Sequence, residues 1–187
     1  MKIKLMLIIF IISNTGIAQV PGYYFSKEFS KDISLYRAKA FVMQEVFGAS
    51  TDIIQFEIDP LAASASGQVT SLYYRCDSKN NEGLILGFYG NYWNEAGVVY
   101  QGFHFKNLPR DKALELLDKI SKTIENQKNY MLKDPDNNNV YFQYDDMLVL
   151  IYSSGETKIR LFWNNFDSEW ESTAFKRTKK RFEKNLN

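Results

Sequence analysis

The stretch Leu108-Pro-Arg-Asp-Lys-Ala-Leu-Glu-Leu-Leu-Asp-Lys-Ile-Ser-Lys-Thr-Ile-Glu-Asn-Gln127 decides how the rest of the chain must be arranged. Ala113, Leu116, Leu117, Ile120 and Ile124 recur at three- and four-residue spacing, which gathers them on one stripe of a helix. Lys112, Glu115, Asp118, Lys119 and Lys122 fall on the other side, and the pairs Glu115–Lys119 and Asp118–Lys122 are spaced for contacts between charges four residues apart. Pro109 fits the first turn, where its missing N–H has no partner within the helix. An apolar stripe of this length needs a surface to lie on, and the aromatic segments on both sides of it supply one.

Upstream, Asp52 to Asp59 alternates Ile54, Phe56 and Ile58 with Gln55, Glu57 and Asp59, the pattern of a strand with one wet face. Gln68 to Cys76 and Gly83 to Gly90 are separated by Asp-Ser-Lys-Asn-Asn-Glu, a turn between antiparallel neighbours. Gly83 to Gly90 is apolar on both faces, which places it centrally. Gly97 to Lys106 puts Val99, Phe103 and Phe105 on one side and Tyr100, His104 and Lys106 on the other. The Ala- and Ser-rich link Pro60 to Gly67 reads as a surface loop. Before these strands, Val20 to Phe25 reads as an edge strand, and a helix capped by Ser30 carries Ile33, Tyr36, Ala40, Met43 and Phe47 as its stripe up to Gly48.

Downstream, the loop Lys133 to Asn139 leads to strands Val140 to Tyr144, Met147 to Tyr152 and Thr157 to Trp163, the last two joined by a hairpin turn at Ser153 to Glu156. A closing helix is announced by Ser168 and Glu171, which have capping-box spacing, with Trp170, Ala174, Thr178 and Phe182 recurring every four residues. Its last turns hold Lys176, Arg177, Lys179, Lys180, Arg181 and Lys184, cations suited to the negative end of a helix dipole. The resulting expectation is an α+β domain, an antiparallel sheet of about seven strands with two or three packed helices. In element order alone it loosely resembles half of a TATA-binding-protein-like fold and, through its long last helix on a sheet, the helix-grip domains.

The beginning of the chain reads as an address. Lys2 and Lys4 precede the apolar run Leu5 to Ile12, and small residues Gly16 and Ala18 mark a cleavage site after Ala18. The run is much shorter than the ~20 residues that span a bilayer, so no stable membrane span is expected after cleavage. Residues 1–18 are therefore expected to be a signal peptide and 19–187 a single domain, exported to the periplasm or secreted. Losing Lys2 and Lys4 takes 23 basic residues to 21 against 22 acidic ones, a formal charge of −1, so no nucleic-acid partner is expected.

Chemistry-bearing residues are few. Cys76 is the sole cysteine, so the chain can form no internal disulfide, and it reads as a small buried hydrophobe. His104 is the sole histidine, which rules out a cluster of histidine metal ligands, and it reads as a structural, partly exposed residue. A Cys76–His104 dyad would have to bridge two strand spacings, roughly 9–10 Å, in a sequential meander. Glu57 and Asp59 share a strand face and have the spacing for general acid–base work. Asp145-Asp146 reads as a turn. Asp134, Asp136 and Asn138 open like a calcium loop, but Asn139 stands where glycine is needed and Asp145 where a bidentate Glu is preferred. No metal and no cofactor are expected, and no catalytic residue is assigned. Two function classes stay open: a non-enzymatic exported domain binding a protein, an envelope component or an apolar ligand, and a hydrolase using Glu57, Asp59 or His104.

Overall fold

The computed structural model describes residues 34–187 apart from 94, 95, 97 and 136. The segment read as a signal peptide, the edge strand expected at Val20 to Phe25, and the helix positions Ser30 and Ile33 lie outside the described residues. Helix α1 (Ser34–Phe41) runs on through a π turn (Val42–Val46). Four strands follow: β1 (Glu57–Ala63), β2 (Val69–Cys76), β3 (Asn81–Trp93) and β4 (Val99–Pro109). Helices α2 (Arg110–Asn126) and α3 (Lys128–Lys133) lead to β5 (Asn139–Tyr144), β6 (Met147–Ser154), β7 (Glu156–Trp163) and β8 (Phe166–Glu169). Helix α4 (Ser172–Asn185) comes last.

Over the described residues the protein is α+β, with two antiparallel sheets of four strands and four helices. Each sheet is a simple meander, β1-β2-β3-β4 and β5-β6-β7-β8. They meet at one pair, Tyr92 with Phe166, through which the ladder can be traced as β1-β2-β3-β8-β7-β6-β5 with β4 branching from β3. This junction follows from strand length. β3 has 13 residues, but β2 pairs with it only as far as Phe88, so the edge beyond is open for β8.

Residues 83–89 of β3 are buried on both faces, as the apolar run Gly83 to Gly90 implies. Leu84, Leu86 and Phe88 enter a core with Leu116, Leu117 and Ile120 of α2, Val149 and Ile151 of β6, Ile159 and Leu161 of β7, and Phe175 and Phe182 of α4. On the opposite face Ile85 and Tyr89 pack with Leu72, Tyr74 and Phe105 beneath Ala38 and Val42 of α1. Gly87 is fixed by crowding on that second face. A Cβ there would stand 2.6 Å from Thr70 Oγ1 and 2.9 Å from the Tyr89 ring.

The stripe of α2 is as the sequence implies: Ala113, Leu116, Leu117 and Ile120 are fully buried and Ile124 packs beside them. Pro109 ends β4 and stands at the N-cap, just before the helix. Several other expectations are corrected. The described residues form eight strands in two sheets, where about seven in one sheet were expected. β1 begins at Glu57 and includes Pro60 to Ala63, read above as loop; proline is tolerated there because this is an edge strand, with a bulge between Pro60 and Ala62. On α1 the buried positions are Ala38 and Val42, while Tyr36 is 74% exposed and Met43 is also exposed.

The supposed capping box at Ser168 is part of β8. Ser168 is buried opposite Leu161, and Trp170 N–H donates to the Ile159 carbonyl at 2.8 Å, so the ladder with β7 claims this segment and α4 starts at Ser172. The turn before β8 uses Asn164 and Asn165, both at positive φ (48° and 63°), the hairpin geometry that asparagine tolerates best. The two expected ion pairs on α2 are replaced by tertiary contacts: Asp118 forms an ion pair with Lys179 of α4, Glu115 accepts a hydrogen bond from Tyr144, and Lys119 lies over the Phe142 ring.

Candidate functional site

The residues singled out from the sequence are dispersed. Cys76 is buried at the end of β2, opposite Asn81, and its Sγ lies 3.4 Å from Ser78 Oγ. His104 on β4 stands opposite Phe88, seven positions further along β3, about 23 Å of strand. Cys76 packs with the α1-side core whereas His104 shares the other face with Lys106, so no dyad forms. Glu57 and Asp59 are exposed on β1, three strands from β4, and Asp59 accepts a hydrogen bond from Asn185 at 3.0 Å. They are not brought together with His104. In the loop before β5, both oxygens of Asp134 accept from Asn137 Nδ2 at 3.0 Å, and Asn138 donates to the Tyr130 carbonyl at 2.7 Å, which turns these side chains onto the loop itself. Asp136 lies outside the described residues, and among the described residues no group of three or more His, Cys, Asp or Glu side chains is placed to hold a metal ion.

One polar cluster was missed by sequence reasoning. Lys106 is 9% exposed, and its ammonium pairs with Asp146 and lies 5.1 Å from the centroid of Trp163. Trp163 Nε1 donates to the second Asp146 oxygen at 2.8 Å, and the His104 ring meets Trp163 and Phe166 edge-on at 6.5 and 5.7 Å. The Lys106 bond holds the Asp146 carboxyl below the ordinary carboxylate range. The cluster clamps the β5–β6 turn and the end of β7 over β4. Both oxygens of its carboxylate are engaged by the fold, which is the arrangement of a clasp.

The feature with room for another molecule lies between α2 and β5. Among the described residues β5 pairs with β6 and with no other strand, so its outer edge is open. Glu115 meets Tyr144 and Lys119 meets Phe142, a step of four residues on the helix against two on the strand. Those steps are about 6 Å and about 6.6 Å long, so helix and strand run alongside each other in step. Between them is a groove of about 590 Å³. Val140, Tyr141 and Phe142 all line it. Consecutive residues of a strand point to opposite faces, so a groove that touches all three looks onto the backbone edge.

The groove's floor and charges follow from its residues. At one end Tyr144 is buried, and its hydroxyl lies 2.8 Å from the Lys112 carbonyl and 3.0 Å from Glu115 Oε2. Burial first, then the bond to Glu115, push this phenol well above the usual tyrosine range. Tyr141 is 74% exposed. Of the charged groups, Glu115 is taken by Tyr144 and Asp118 by Lys179, whereas Lys119 and Lys122 make no ion pair among the described residues. The groove therefore offers aromatic surface, an unpaired strand edge and a positive rim.

Smaller cavities lie elsewhere. One of about 370 Å³ lies where β4 meets α1, at Phe103, His104 and Phe105. Another of about 360 Å³ lies where β1 meets α4, at Leu61, Arg177 and Arg181. No helix among the described residues is long and apolar enough to cross a membrane.

Compared with known proteins, the chain matches no family model, no curated protein and no solved structure.

Proposed function

We propose that this is an exported, non-enzymatic binding domain that takes an extended segment of a partner protein along the open edge of β5. The observation that carries this reading is the groove itself, in which an unpaired strand edge and the rim of α2 face each other. An extended peptide can add a strand to such an edge, its backbone supplying affinity and its alternate side chains specificity. Lys119 and Lys122, which make no ion pair among the described residues, and the exposed Tyr141 ring favour a segment alternating acidic and apolar residues. Export rests on Lys2, Lys4 and the apolar run Leu5 to Ile12. The likeness in element order to helix-grip domains belongs to the same reading, with α4 tied to β1 and β2 through Arg181 and Thr178.

The test is fluorescence anisotropy with a labelled peptide of alternating Val and Glu, alongside its Val and Lys counterpart. The expected result is saturable binding of the acidic peptide, about tenfold tighter than the basic one, with amides of residues 139–144 gaining protection from hydrogen exchange. Absence of binding by either peptide up to about 1 mM, a free energy near −4 kcal/mol, would remove the proposal.

A further inference from the structure

Away from the groove, the outer face of α4 carries a row of cations that no acid of the described residues neutralises. Lys176, Arg177, Lys180, Arg181 and Lys184 are all exposed, and their spacing of one, four, five and eight residues stacks them along one side of the helix. Like charges four apart on a helix repel. None of the five makes an ion pair among the described residues, because the nearby acids Asp118 and Glu183 are both engaged by Lys179. Arg181 donates to the Leu61 carbonyl at 2.6 Å, which fixes the stripe against the edge of β1. The opposite side of α4 is locked: Ala174, Phe175, Thr178 and Phe182 are buried, and Thr178 Oγ1 lies 2.6 Å from Ser71 Oγ. The helix can neither roll nor sink, so whatever meets the stripe meets it from outside.

The 360 Å³ cavity adds shape to the charge. Arg177 and Arg181 stand at it beside Leu35, Pro60 and Ala62, so cations and apolar groups adjoin. We propose that this face of α4 seats on an anionic lipid bilayer, with headgroup phosphates along the lysine stripe and one headgroup between Arg177 and Arg181, its glycerol end on the apolar lining. A flat negative surface matches a straight row of cations on a helix that is held parallel to it, and each cation near such a surface strengthens binding about fivefold. The near-neutral balance of the whole chain, 23 basic and 22 acidic residues, leaves this local stripe as the source of attraction. The contact is peripheral and is screened over about 8 Å at physiological ionic strength.

The experiment is vesicle co-sedimentation of the full chain, with phosphatidylcholine vesicles as the neutral reference because the apolar run Leu5 to Ile12 can itself partition into lipid. Binding to vesicles containing phosphatidylglycerol should exceed the neutral reference and fall back to it at high salt. The triple variant Lys176→Gln, Lys180→Gln, Lys184→Gln leaves both arginines in place and should weaken the anionic-vesicle binding on the order of a hundredfold, with an unchanged circular dichroism spectrum. A single variant, Lys180→Gln, should lose about fivefold and reads the same effect should the triple variant unfold. Equal binding to neutral and anionic vesicles would overturn the proposal. So would unchanged binding by the folded variants, full competition by inorganic phosphate, which would reduce the stripe to a small-anion site, or duplex DNA bound as tightly as the vesicles.

Discussion

The edge strands β1 and β5 terminate the two sheets in opposite ways. β1 is closed off at every level. Pro60 has no N–H to offer, a bulge interrupts the register at Pro60/Ala62, Arg181 occupies the Leu61 carbonyl, and Asn185 holds Asp59. The turn leading out of β1 is held as well, because Ala65 N–H and Ser66 N–H donate to the two oxygens of Glu171 at 2.8 and 3.1 Å. β5 has none of these devices; it has no proline and no bulge, and its edge looks into a groove. Exposed strand edges invite uncontrolled pairing, so the devices at β1 protect that edge, whereas the open edge of β5 is where a further strand can add.

The comparison can be broken most severely at α2, which forms the wall of the open edge. Leu117→Asp or Ile120→Asp would put an unpaired charge in a fully buried position and should cost more than about 4 kcal/mol, seen as loss of the cooperative thermal transition. A stable, folded mutant would mean the core has been misplaced. Next in size, Glu171→Ala should uncap two backbone donors of the β1–β2 turn and cost about 2 kcal/mol in chemical denaturation, with faster hydrogen exchange over residues 57–67 and none over 139–144. Equal loosening of both edges would show that β1 is not closed by this contact.

Lys119→Glu acts on the open edge alone. It should weaken the acidic peptide by about tenfold and leave the melting temperature unchanged, because Lys119 is an exposed rim residue. The smallest effect is expected from pH. Tyr144 beside the open edge and Tyr73 beside the closed one both have raised pKa values, each chiefly through burial and then through a hydrogen bond to a carboxylate, Glu115 and Glu82. A raised phenol pKa contributes stability that is complete below the ordinary value near 10 and is lost as pH rises through the raised one. Urea midpoints should therefore fall above about pH 10, and less steeply in either Tyr144→Phe or Tyr73→Phe. Peptide affinity at neutral pH should change in Tyr144→Phe only.

What the sequence disclosed and what it hid divide along physical lines. The α2 stripe and the doubly apolar β3 were legible because each buries its residues by a periodicity visible within the segment itself. The start of the closing helix lies three residues beyond the expected one, because Ser168 and Glu171 satisfy a capping rule locally while β7 claims Ser168 through a contact made in three dimensions. The expected strand over Asp52 to Asp59 lies too early in the chain: β1 starts at Glu57 and runs on through Pro60, which looks like a strand breaker, and nothing local reveals that the strand lies at an edge. The expected stripe of α1 holds only at Phe47, which is buried; Tyr36 counts as apolar but is exposed, and the positions that bury on the helix are Ala38 and Val42. The groove had no signature at all, since Lys119 and Phe142 are separated by 23 positions in sequence and meet only once α2 and the second sheet are assembled. The asparagine pair at Asn164 and Asn165 was a usable hairpin signal for β8.

The grip of Glu171 on the β1–β2 turn also sets an order of events during synthesis. Its partner Ala65 is 106 residues earlier in the chain. At a synthesis rate of about 5–20 residues per second, that interval lasts roughly 5–20 seconds. For that time the first meander can be complete in hydrogen bonding yet still carry a sticky margin, which stays unsealed until α4 arrives.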